Sequence, residues 1–359
     1  MSMEPRVKEW KFMLKRVRET PLALAGVAII IFFILIALLA PVLAPPTYSD
    51  PFKIPQDKEI YSLTPNPTPP TLTHIFGTSD QQYDIYYACI WGTITAFRVG
   101  LTVVLISLII GLILGVAAAY YGGILDEILM RFTDIIIAFP GLILAMALVL
   151  AFPAAIPINL SSIFLVVSII CSFVIIMARS DRKLLLVTQM IVVAFLVSYI
   201  YQPIVLHLEI TNLDKVLFAI AIVGWPGYAR LIRGEILRVK NEDYIEAAKA
   251  AGSSDFRIIT RHILPNTIYP LLVVVSMDVG SIVLTAAALS FLGIGAPIDY
   301  ADWGQMISRS RAWIRNPEML ASNFHTFFIP GLFITLFSLG WNLLGDALRD
   351  VLDPMLRRR

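Results

Sequence analysis

The sequence predicts an all-α integral membrane protein, a polytopic helical bundle of about eight transmembrane helices. Three observations predict it. Hydrophobic residues make up 58% of the chain and charged residues 15%, against roughly a quarter charged in soluble domains; the mean hydropathy is +0.78. The apolar residues fall in runs of about 20, the length that crosses a bilayer core as helix. Lys and Arg are sorted between alternate connections. A large soluble all-α protein would need a charged face on most helices, and those faces are missing.

The elements follow in order. A basic segment, 1–21, carries Arg6, Lys8, Lys11, Lys15, Arg16 and Arg18 ahead of the first apolar run, 22–43. A signal peptide is the competing reading. The run is too long for one, and Pro41-Val42-Leu43-Ala44-Pro45-Pro46 is a poor cleavage site. An uncleaved first span with its N-terminus inside is expected. The stretch 44–96 holds Pro65, Pro67, Pro69 and Pro70, which disfavour a long regular helix. It reads as a small irregular subdomain outside. The core, 97–348, has spans near 99–120, 135–152, 160–178, 184–205, 215–233, 268–291 and 327–348. A tail, 349–359, closes the chain.

Charge orients these spans. The connections read as outer carry only Lys53, Lys58, Lys215, Arg309, Arg311 and Arg315 of the 28 Lys and Arg. Arg98 sits near an outer boundary, and the remainder fall in segments read as inner. The positive-inside rule then places both termini and the loop 234–266 in the cytoplasm of a multi-pass cell-membrane protein.

That loop is polar among apolar spans. Asn241 is a candidate N-cap, with Glu242 and Asp243 in the first turn, where acids suit the helix dipole. Ala247, Ala248, Ala250 and Ala251 favour helix and let another surface approach closely. Gly252 ends the helix by taking positive φ without strain. Ser253 or Ser254 can cap a second helix, and Pro265 limits how far that helix runs on into the next span. An ordinary, well-capped connecting loop would read the same; composition alone names no partner.

The pattern is more specific. Glu246-Ala247-Ala248, three residues, Gly252, then Leu264-Pro265 resembles the signature loop of ABC importer permeases. The usual Ile two places before the Leu is His262 here, and His-Ile-Leu-Pro is familiar in the peptide-transport branch. Pro21-Leu22-Ala23-Leu24-Ala25-Gly26 with Ala40-Pro41 resembles the start of dipeptide/oligopeptide permease C-type subunits. So do Tyr120-Tyr121-Gly122-Gly123, Asp126-Glu127, Met130-Arg131, Phe139-Pro140 and Gly224-Trp225-Pro226-Gly227-Tyr228-Ala229-Arg230. Leu289-Ser290-Phe291-Leu292-Gly293, Asn342-Leu343-Leu344-Gly345-Asp346, Leu348-Arg349-Asp350 and Asp353-Pro354 extend the likeness over most of the chain.

The resemblance implies a type I importer permease fold. It assigns Glu246, Ala247, Ala248, Gly252, Leu264 and Pro265 to a coupling helix seated on an ATP-hydrolysing subunit. The implied partners are a second homologous permease, two ABC ATPases that bind the ATP and Mg, an extracytoplasmic solute-binding protein and the lipid bilayer. Nucleic acid is not expected. The implied cargo is peptides or related solutes; similar permeases carry oligosaccharides and nickel. Two departures stand out. Relatives usually have Gly-Thr-Asp, two residues, then Gly-Arg-Asp, where this chain has Gly77-Thr78-Ser79-Asp80-Gln81-Gln82-Tyr83-Asp84. An insertion, about 153–214, adds a helical hairpin around Arg179-Ser180-Asp181-Arg182-Lys183, giving eight spans where six are typical.

Other chemistry is sparse. Cys89 and Cys171 are too few for a disulfide framework, and His74, His207, His262 and His325 lack metal-ligand spacing. No phosphate-binding Gly-rich loop, Gly-x-Ser-x-Gly elbow or His-Glu-x-x-His helix occurs, so the chain reads as a non-catalytic subunit. Asn159-Leu160-Ser161 is a weak glycosylation sequon. Asp278 lies deep in an apolar run, where a carboxylate is costly and faces protein or water. A helix-helix hydrogen bond or a subunit contact is the preferred reading, with substrate contact and proton coupling behind it. Asp134, Arg179 and Arg230 lie near inner boundaries and can snorkel. An ion-driven transporter would want acidic partners and repeats, and a membrane enzyme would want paired Asp or clustered His. The spans supply neither set.

Overall fold

The computed structural model describes residues 20–64, 66–153, 155–159, 190, 192–193, 196 and 205–352. The chain divides into two compact units, Met1–Leu150 with Asn212–Arg359, and Ala151–Thr211.

In the larger unit, α1 spans Pro21–Leu43. Pro21 is at its start, where the missing N–H would have had no partner. A short helix, α2 (Lys58–Leu63), is capped by Asp57, which accepts from the N–H groups of Glu59 and Ile60. The long helix α3 covers Ile85–Tyr121. The reading from apolar runs began this span near 99. Helix in fact starts at Ile85 because Asp84 caps it, accepting the Tyr87 N–H at 2.8 Å, and because Arg98 pairs with Asp214 at 2.9 Å. Gly122 and Gly123, both at positive φ, turn the chain sharply after α3.

Next come α4 (Gly123–Ala138) and α5 (Gly141–Ala151). The expected span 135–152 is corrected here: these two helices meet at 94°. Phe139 is extended, with φ −85 and ψ 139. The following Pro140 disfavours the α region for its predecessor.

The remaining elements of this unit are α6 (Asn212–Val239), α7 (Asp243–Ala250), α8 (Asp255–Ile258), α9 (Leu264–Phe291), α10 (Trp303–Arg309), α11 (Arg311–Ile314), α12 (Pro317–Asn323) and α13 (His325–Leu352). Among the described residues, five helices are long and apolar enough to cross a membrane, or six if the bent pair is one span. Of the eight expected, 160–178 lies outside the described residues, and 184–205 almost wholly so. In the smaller unit, β1 (Ala155–Asn159) pairs antiparallel with β2 (Val205–Glu209), with Asn159 opposite Val205. Among the described residues the otherwise helical fold carries one two-stranded ribbon.

Close backbone approach holds the larger unit together. α3 packs along α6, α9 along α13, and α13 against α1. Gly111 and Gly115 of α3 face α6: a Cβ on Gly111 would come within 2.5 Å of the Tyr228 Cβ, and one on Gly115 within 2.6 Å of the Ala229 carbonyl. This is the small-xxx-small spacing that lets membrane helices meet without a hydrophobic driving force. Phe33, Trp303, Phe333 and Phe337 interlock α1, α10 and α13 with mostly edge-on rings.

At the N-terminal end of α3, Ala44, Phe52, Ile54, Phe76 and Tyr83 pack into one cluster with Ile85, Cys89, Ala301 and Met306. Tyr87 Oη donates to the Pro51 carbonyl and Trp91 Nε1 to that of Ala44. His74 lies between the two helix caps, Nδ1 at 2.8 Å from Asp84 and Nε2 at 3.4 Å from Asp57. Burial opposes its charge, but hydrogen bonds to Asp84 and Asp57 outweigh burial and raise its pKa above the usual value. The backbone N–H of Ile60, with His74, holds Asp57 below the ordinary carboxylate range.

The altered segment has its own solution. Gln82 takes φ +59 at the place where the related pattern has Gly. Its buried side chain replaces what the backbone strain costs. Oε1 accepts from Thr78 Oγ1 at 2.6 Å, and Nε2 donates to the carbonyls of Asn66 and Thr64. Arg309 lies over the Tyr83 ring at 4.2 Å and bonds Ser79 Oγ.

Candidate functional site

The polar loop sits at the other end of α3. Helix α7 begins after Glu242, one residue later than the Asn241 cap anticipated, and no side chain caps it. Asp243 and Glu246 occupy its first turn and Lys249 its last, all favourable to the helix dipole. Its end is a Schellman motif. The Gly252 N–H donates to the Lys249 carbonyl at 2.9 Å and the Ser253 N–H to that of Ala248 at 3.1 Å. Gly252 has φ +74 with open space around it, so conformation rather than crowding requires glycine.

One side chain anchors the helix. Ile245 is fully buried with Ile232, Ile236, Ile258, Ile263 and Tyr228, and Ala248 packs against that cluster. Glu246, Ala247, Lys249 and Ala250 are left exposed. Phe256 of α8 is 77% exposed, a large ring with no cover. The face is therefore mixed and mostly low in bulk, with Tyr244 and Phe256 as its exposed rings.

The chain then continues from α8 through a π-turn, Ile259–Ile263, directly into α9. Pro265 was expected to limit this run. The wider π-turn absorbs it, because a regular α-helix would press the ring onto the carbonyl four residues back. Asn266 Nδ2 donates to the His262 carbonyl at 2.6 Å. Of the six residues predicted from the motif, Glu246, Ala247, Ala248 and Gly252 share α7 and its cap. Leu264 and Pro265 open α9, linked to α7 through the buried Ile263 and Ile245.

Residues not singled out as site residues brace the loop. Tyr120 Oη donates to Asp255 Oδ1 at 2.6 Å, and Lys240 Nζ to the Ala119 carbonyl at 2.8 Å. Arg233 grips Asp126 through two bonds, 2.6 and 2.7 Å, the strong bidentate geometry. Arg230 also bonds Asp134. Tyr120, Asp126 and Arg230 lay inside quoted motifs, but only folding brings each to its partner, 135, 107 and 96 residues away along the chain.

Long apolar helices around a braced, exposed short helix define a multi-pass membrane protein. Residues 107–358 match the model of the binding-protein-dependent transport system inner membrane component, and residues 8–65 that of the N-terminal TM domain of oligopeptide transport permease C. The chain belongs to the binding-protein-dependent transport system inner membrane component family. It is 32% identical to the dipeptide transport system permease protein DppC of Alkalihalophilus pseudofirmus, covering 98% of this chain and 91% of that protein. It is 30% identical to the oligopeptide transport system permease protein OppC of Bacillus subtilis, over 97% and 90%. Identity to the glutathione transport system permease protein GsiD of Pectobacterium atrosepticum is 33%, over 80% and 75%.

Proposed function

We propose that this chain is one of two transmembrane permease subunits of an ATP-driven importer for peptides. Its termini and α7 face the cytoplasm. Two ABC ATPases, which bind the ATP and Mg, dock on α7, and a solute-binding protein delivers cargo on the opposite side. Dipeptide, oligopeptide and glutathione permeases among the relatives favour peptides over oligosaccharides or nickel.

The anchoring of α7 carries the reading. An exposed helix free to flex would dissipate a push. Here Ile245 is buried beneath the exposed face, and the Tyr120–Asp255 and Lys240–Ala119 bonds tie the loop to the end of α3. A force on Glu246, Ala247 or Lys249 therefore reaches α3, α6 and α9 together. Such rigid-body displacement of packed helices is one route to alternating access.

The test is a reconstituted complex carrying Glu246→Lys or Gly252→Asp. Both variants insert. Each lowers peptide uptake at least tenfold while ATP hydrolysis by the partner subunits continues, or weakens retention of those subunits. Gly252→Asp acts by forcing a side chain onto the left-handed residue. Unchanged uptake in both variants would refute the coupling role.

A further inference from the structure

Asp278 sits near the centre of α9, about 20 Å from either end at the helical rise. It lines an open cleft of about 430 Å³ between α3, α5, α6 and α9. Tyr228 Oη donates to its Oδ2 at 2.6 Å. That is its one side-chain hydrogen bond among the described residues, so Oδ1 is open to the cleft. A carboxylate kept at that depth with an open oxygen is a functional feature by default.

The other polar groups on the wall agree in one respect. Ser281 Oγ donates to the Asp278 carbonyl, Thr285 Oγ1 to that of Ser281, and Ser107 Oγ to that of Ala221. Each hydroxyl, like that of Tyr228, spends its proton on the protein. Ser107 is fully buried, so Ser281 and Thr285 are the hydroxyls that turn acceptor lone pairs toward the space. No Lys, Arg or His lines the cleft. The wall's one acidic side chain is the Asp278 carboxyl, with apolar surface from Leu142 and Ile282 between. Its complement is a compact cation with several N–H donors.

From this geometry we infer that the cleft is a binding site for a primary ammonium group, the α-ammonium of a peptide, held by Asp278 Oδ1 and the neighbouring hydroxyls. The peptide identity rests on the importer reading; the ammonium preference rests on the wall alone. An ammonium has three donors and suits a carboxylate with surrounding hydroxyls. No group of three or more His, Cys, Asp or Glu able to hold a metal ion occurs among the described residues, so the single carboxylate favours an organic cation.

The test is calorimetric binding to the full chain, purified with its accompanying subunits and held in lipid nanodiscs. The probes are dialanine and N-acetyl-dialanine, each measured in sodium and in choline buffer. Asp278→Asn preserves size and still accepts from Tyr228, so the fold survives. The wild type binds dialanine at least tenfold more tightly than N-acetyl-dialanine, and Asp278→Asn loses that preference. Binding that is equal for both probes, unchanged in Asp278→Asn, or absent from the wild type overturns the site. Competition by sodium strong enough to abolish dialanine binding assigns the wall to a metal cation instead. Dialanine binding that obeys these expectations without peptide uptake by the reconstituted complex supports the site and removes the import reading. Uptake with no amine dependence does the reverse.

Discussion

At the scale of single residues, His74 ties the segment before α3 to the helix itself, because its two carboxylate partners are the caps of α2 and α3. Its raised pKa means that protonation stabilises this arrangement. The contribution is fully present below the unfolded value, near 6.5, and is lost as pH rises through the higher folded value. Asp57 has the opposite sign. Its lowered pKa gives stability that is present above the unfolded 3.8 and lost as pH falls through the folded value. Thermal stability of the purified complex is therefore expected to be highest between about pH 4 and 6.5, the window between the two unfolded values. His74→Gln should flatten the alkaline side of that profile and weaken the acid side only in part, because the Ile60 N–H still holds Asp57. A profile unchanged by the substitution would show that the His74 contacts contribute nothing. None of this was legible in advance. A lone histidine among prolines carries no spacing signal, and its partners lie 10 and 17 residues away. Gln82 was visible only as a departure from a related pattern. Its compensation, a buried amide spanning Thr78, Asn66 and Thr64, needed the fold.

Among the elements, what could be read depended on whether the signal was local. Apolar runs located α1, α6, α9 and α13, because span length is a property of the run itself. Gly252 announced the end of α7 for the same reason. The break at Phe139 was also local, since Pro140 stands beside it. It was passed over because the hydropathy on both sides is continuous. The start of α3 was hidden by Arg98, whose charge is offset by a partner on another helix. Anchoring of α7 was likewise hidden, because Ile245 stands as one apolar residue in a polar loop. Ile245→Ala should cost about 2–5 kcal/mol locally, the usual range for truncating a buried aliphatic side chain. Ile245→Val should cost about 0.5–1.5 kcal/mol. The loss is expected as faster amide hydrogen exchange over Asp243–Ala250 and as less peptide imported per ATP, while the long helices keep their protection. Uniform loss of protection throughout the chain would show that α7 is part of the global core rather than a separately anchored element.

For the whole molecule, the insertion poses the remaining question of organisation. Its two ends are joined by the ribbon in which Asn159 stands opposite Val205, so the chain returns beside the point where it left. Ala151–Thr211 forms a compact unit of its own, and α6 begins immediately after it, at Asn212. The packing of α3 on α6, and of α9 on α13, joins helices of the larger unit. The braces of the loop, Tyr120–Asp255, Lys240–Ala119 and Arg233–Asp126, also lie entirely within the larger unit. If force enters at α7 and passes through these contacts, the segment 160–204 is not in its path. Replacing that segment with a short turn containing Asn-Gly, the pair that favours a tight hairpin, should leave membrane insertion intact. Peptide uptake and ATP hydrolysis by the reconstituted complex should stay within about twofold of the full chain, less than the tenfold step that 1.4 kcal/mol represents. Loss of the partner subunits on purification would instead make the insertion a docking element. Uptake lost from a complex that still assembles and hydrolyses ATP would place the insertion in the transport path.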